Sequence, residues 1–142
     1  MSITVRDPRT IHLGGSVTLV NDRTVSEAVT PGHLVELNAG QYRKHASAAA
    51  ATTPAFALNM PELNKSYDDA YAATDQALIG IGAPGSTFLA WLASGQNVAD
   101  GARLESAGGG LLTALAAGVL IATAIEAKNA TAGDSRIRIE VA

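Results

Sequence analysis

Three carboxylates, Asp68, Asp69 and Asp75, fall close together in a stretch without clear periodicity. Oxygen ligands gathered in an irregular loop are what calcium takes. The spacing departs from the EF-hand loop, which needs a glycine and a terminal glutamate in register, so a solvated turn is the simpler expectation. The histidines His12, His33 and His45 form no ligand pair at helical spacing. A zinc site needs three or four convergent ligands, so no metal is expected. Serine and threonine are plentiful, but no G-x-S-x-G elbow frames a nucleophile. The run Gly108-Gly109-Gly110 lacks the Lys-Ser/Thr that follows in a phosphate loop, and a tight hairpin explains it better. A glycosidase pair is defined by spatial separation, which the chain order does not give, and the domain is small for that task. No catalytic, cofactor-binding or metal-binding residue is therefore assigned. The expectation is a small scaffold that works through its surface.

Composition agrees with that class. One domain is expected of 142 residues, with about two-thirds of the unfolded surface buried. Alanine dominates the apolar set, beside two Phe, one Trp and three Tyr. Each buried CH₂ contributes only about 0.8 kcal/mol, so partner subunits are expected to supply part of the stability. The net charge is −3, and no basic run is longer than Arg43-Lys44. Duplex DNA requires a basic stripe, so nucleic acid is not an expected partner. The absence of cysteine excludes a disulfide-stapled extracellular domain and a thiolate metal site, and fits synthesis in a reducing cytoplasm. The first residues, Met1 to Pro8, contain no apolar core of a signal peptide. The most apolar stretch, 111–127, is shorter than the roughly 20 residues of a membrane helix. It carries Thr113, Gly118 and Thr123 and ends at Glu126-Ala127-Lys128. It reads as buried strands, so no membrane span is expected.

The elements follow from turn chemistry and period. Residues 1–30 are polar and weakly periodic, with a possible short strand in 12–20. They read as an N-terminal arm, either a loosely ordered terminus or a segment that orders against a partner. A β-rich domain, 31–142, begins at the turn Pro31-Gly32. Strands are predicted at 34–37 and 42–46 around Asn38-Ala39-Gly40, and at 56–60 with one buried face. Residues 76–83 form the next, interrupted by Gly80 and Gly82, where a bulge, bend or close backbone approach is expected. Residues 86–94 fit one helix face and also a strand buried on both sides; the strand is preferred because its neighbours are strands. Further strands are predicted before and after the glycine hairpin and at 119–127. In 136–141 Ile137, Ile139 and Val141 alternate inward while Arg136, Arg138 and Glu140 point to solvent or a partner. Short strands between regular turns predict a mostly β, single-domain barrel or β-tulip-like fold.

Four segments in order, YDDAYAATD at 67–75, LASGQNVADGARLESAGGGL at 92–111, ATAIEA at 122–127 and RIRIEV at 136–141, resemble head decoration (capsid cement) proteins of tailed phages. The resemblance covers about residues 30–142 and matches only loosely before that. The Gly-Asp that the family places before the Leu of the second stretch stands here as Gly101-Ala102. The resemblance implies a non-enzymatic virion protein, made in the host cytoplasm, that binds the outer surface of an icosahedral head. It also implies a homotrimer whose partner is the major capsid protein, with no cofactor. Arg136, Arg138 and Glu140 are candidates for part of that contact. The alternative is a host-surface or carbohydrate-binding β module of a virion.

Overall fold

The computed structural model describes residues 10–61, 64 and 66–142. Strand accounts for 49 % of the described residues, and no helix occurs among them. No helix there is long and apolar enough to cross a membrane. The expected small β-barrel is present, as a closed five-stranded barrel.

The barrel is built from β7 (Thr87–Leu92), β10 (Leu111–Ala114), β9 (Arg103–Gly108), β11 (Ala122–Ala124) and β13 (Ser135–Val141), in that spatial order. It closes through β13 against β7, antiparallel over Ser135↔Leu92 to Glu140↔Thr87. The one parallel join is Leu112↔Leu92, between β10 and β7. Inward positions alternate as the pleat requires. Ile137 and Ile139 are fully buried and Val141 nearly so, and they meet Phe88, Leu92, Leu104 and Leu112 in one core. The segment 86–94 is a strand, and its missing period has a cause. Leu89, on the outside of the barrel, is itself only 6 % exposed, so apolar side chains are buried on both faces of the strand.

A second sheet runs β2 (Val17–Thr24), β6 (Gln76–Gly82), β5 (Ala55–Ala57), β3 (Leu34–Asn38), β4 (Gln41–Lys44). It curls, and Val25 bridges back to Tyr42 on β4. Its concave side encloses a second apolar cluster with Val35, Tyr42, Ala55, Ile79 and Tyr71. Its other side reaches the barrel core through Leu34 and Phe56. The residues of β5 are therefore buried on both faces, rather than on the one face predicted for 56–60. Gly82 is required at the junction: a Cβ there would lie 2.6 Å from the Phe88 ring. β8 (Asn97–Val98) and β12 (Lys128–Asn129) form a small ribbon beside the barrel.

One expectation is corrected. Of the segment 119–127, only Ala122–Ala124 is a strand, and Val119 and Leu120 face outward in a loop. Of the segment 1–30 read as an arm, residues 1–9 lie outside the described residues. From residue 10 on, the segment belongs to the fold. β1 (His12–Gly14) pairs with β7, and β2 pairs with β6 from Val17↔Gly82 to Thr24↔Gln76. Main-chain pairing outweighs polar composition there, because an edge strand needs only one covered face.

Candidate functional site

The three aspartates of the YDDAYAATD stretch do not converge. Asp69 Oδ2 accepts from Ser66 N–H at 2.8 Å, and Asp75 Oδ2 accepts from Ala72 N–H at 2.9 Å. Both are side chains closing their own turns. Asp68 instead accepts from Arg136 Nη1 at 2.7 Å. Among the described residues no group of three or more His, Cys, Asp or Glu could hold a metal.

Arg136 organises a cleft of about 360 Å³ on the outer face of β13 and β7. Its guanidinium lies between two aromatic rings, 4.2 Å from the Tyr67 centroid and 4.5 Å from that of Trp91. Nη2 also donates to the Tyr67 and Pro31 carbonyls, and the Trp91 indole N–H donates to Pro31 at 3.0 Å. Only 12 % of the Arg136 side chain is exposed. The expectation of a solvent- or partner-facing Arg136 is thus corrected: it points away from the barrel interior, as the alternation requires, but is consumed in fastening 31 and 67–68 to the barrel wall. A planar cation with donors on its rim suits both the stacking and the carbonyls. Arg138 and Glu126 line the same cleft 4.0 Å apart, with Lys128 and Asp134 beside them. Glu140 is exposed.

The histidines are separated too. His12 Nε2 donates to the Gly15 carbonyl at 3.1 Å, and its ring tilts on Phe88. His33 Nδ1 accepts from Thr30 N–H at 3.1 Å, within the turn that opens at Pro31. Its pKa is lowered to about 4, chiefly by burial, with Lys44 and Arg136 lowering it further and Asp134 opposing them. Neutral His33 is therefore the form that fits.

One arrangement escapes sequence reasoning. His45 Nδ1 lies 2.6 Å from Ser106 Oγ, and His45 Nε2 lies 3.8 Å from Glu36 Oε2. Ser, His and Glu in series are the residue types of a hydrolytic triad. Yet His45 is 2 % and Ser106 1 % exposed. Gly108 N–H donates to the Ser106 hydroxyl oxygen at 3.2 Å, and Glu36 is held by Arg43 Nε at 2.9 Å. A nucleophile must reach its substrate, and this hydroxyl is enclosed. What it does in this structure is join the end of β4 to β9 through the buried His45–Ser106 hydrogen bond. Gly108 permits the close approach of the two segments: a Cβ there would lie 2.9 Å from the Ala46 carbonyl oxygen.

The outer surface carries large apolar side chains: Leu19 at 58 % exposure, Leu37 at 54 %, and Val119, Leu120 and Ile125. A further groove of about 410 Å³ opens at the mouth of the curled sheet, lined by Leu37, Tyr42, Thr53 and Ile81 among others. No family model matches the chain, and no curated protein matches its sequence.

Proposed function

We propose that the protein decorates the outer surface of an icosahedral phage head and cements contacts between major capsid protein subunits, acting as a homotrimer and without catalytic turnover. The observation that carries this reading is the contrast between inside and outside. The His45–Ser106 pair and the Arg136 guanidinium are tied up within the fold, while large apolar side chains stand on the outer surface of both sheets and their loops. A rigid scaffold with apolar surface suits binding to another protein. The resemblance of the ordered segments supplies the capsid as that protein. A specific interface buries about 800 Å² per partner, and three linked copies gain avidity of roughly 10² to 10⁴. The test is uptake: expanded shells of a tailed-phage major capsid protein should bind it to a fixed, saturable ratio. Shells left bare at micromolar protein would remove the reading.

A second reading, a carbohydrate-binding module of a virion, draws on one observation. The cleft at Trp91 and Tyr67 also presents Glu126, Asp134 and Arg138, an apolar wall with polar groups beside it. Glycan-array binding without shell uptake would favour it.

A further inference from the structure

Between Glu105 and Glu126 the chain carries no charged side chain, and residues 46–53 carry none either. The fold brings these two stretches together. Ala49 N–H donates to the Ser106 carbonyl at 2.8 Å, and Val119 N–H donates to the Ala49 carbonyl at 3.1 Å. A Cβ on Gly118 would lie 2.6 Å from that of Ala49, and one on Gly108 would lie 2.9 Å from the Ala46 carbonyl. The two loops and the glycine hairpin therefore form one continuous face. Residues 46–49, 116, 117, 119 and 120 are exposed on it. The carboxylate that could have marked this face is drawn beneath it. Glu105 is 6 % exposed, and its Oε1 accepts from Ala116 N–H at 3.2 Å. Charged residues border it at Glu36, whose Oε1 accepts from Ala46 N–H, and at Arg103, whose carbonyl accepts from Leu115 N–H.

We propose that this face is where identical copies of the chain meet, close to a shared rotation axis. The inference rests on the decoration reading for the number of copies, three, and adds the surface. The argument is one of charge. In a closed ring, a side chain near the axis faces copies of itself. A charged residue there meets its own sign, which costs several kcal/mol. A bulky residue collides with itself. Small uncharged side chains are what such a position tolerates, and this face offers alanines around Val119 and Leu120, with charges confined to its rim as interfaces have them. A partner of different sequence imposes no such rule and could be met with complementary charges. Leu19 and Leu37 lack this setting. Leu37 sits beside the Glu36–Arg43 pair, and Asp22 and Arg23 follow Leu19 on its own strand.

Sedimentation velocity tests the inference on the full chain. The wild type should sediment as a trimer at micromolar concentration. Ala117→Asp and Ala48→Asp should each shift it to monomer, with an unchanged circular dichroism spectrum, and Leu37→Glu should leave the trimer intact. Because the chain has no cysteine, Ala117→Cys presents one thiol per copy, and a short bismaleimide should link copies covalently. A monomeric wild type, or aspartate variants that keep the wild-type size, would overturn the inference. Shell binding is read separately. A chain that assembles through this face but leaves shells bare overturns decoration and keeps the interface. A chain that decorates shells while both aspartate variants stay trimeric keeps decoration and overturns the interface.

Discussion

The ring of Phe56 stacks on that of Phe88 with centroids 4.8 Å apart. One belongs to the curled sheet and the other to the barrel, so the contact fuses two layers into one core. Phe56→Ala should cost about 3–5 kcal/mol. Urea unfolding should remain a single transition, with fluorescence and circular dichroism coincident. Two separate transitions would show layers that fold independently.

Ser106→Ala tests the buried tie. Removing the hydroxyl leaves His45 Nδ1 and the Gly108 N–H short of a partner in an enclosed site, and should cost about 1–3 kcal/mol. Shell uptake should be unchanged, because the pair lies inside the fold. A loss of uptake with stability intact would instead give Ser106 a direct role.

Arg136→Lys keeps the charge and loses the planar fork. It should cost about 1–3 kcal/mol, through the lost stacking and carbonyl contacts. Asp68→Asn should cost less than about 1 kcal/mol, since that carboxylate is exposed. Trp91 is the sole tryptophan, so its emission reports the clamp: a red shift is expected in Arg136→Ala as water reaches the ring.

His33 makes stability depend on pH. Its folded pKa is lowered from 6.5 to about 4, so as pH falls below about 6.5 the unfolded chain takes up the proton first. Stability contributed by neutral His33 is complete above 6.5, declines as pH falls to about 4 and is level below that. Between pH 7.5 and 4.5 the wild type should lose about 2–3 kcal/mol more than His33→Asn, measured by urea midpoints. Equal losses would show that His33 is not held neutral.

The last strand was legible because one of its faces is buried and the other is not, so Ile137, Ile139 and Val141 carry a visible period. Thr87–Leu92 carried none, because Leu89 is buried on its outer face as Phe88, Ala90 and Leu92 are on its inner one. Apolar content misled at 115–120: hydropathy does not distinguish a buried strand from an outward loop of Ala, Val and Leu, and only the loop's hydrogen bonds to residues 49, 103 and 105 reveal it. The Arg136 clamp was half legible. The alternation placed the side chain outside the barrel, but Tyr67, Trp91 and Pro31 reach it from distant segments. His45 and Ser106 are 61 residues apart, and no local pattern in either segment announces their meeting.

Heating decorated and bare shells side by side, with genome release followed by dye fluorescence, tests the central claim most directly. A ligand that binds only the intact lattice stabilises it by RT ln(1 + [L]/Kd), about 2.7 kcal/mol per site at one hundred times Kd. Many sites act on one shell. Release at a clearly higher temperature, rising with occupancy until the sites are full, is the predicted result. Identical release temperatures at saturating occupancy would contradict it.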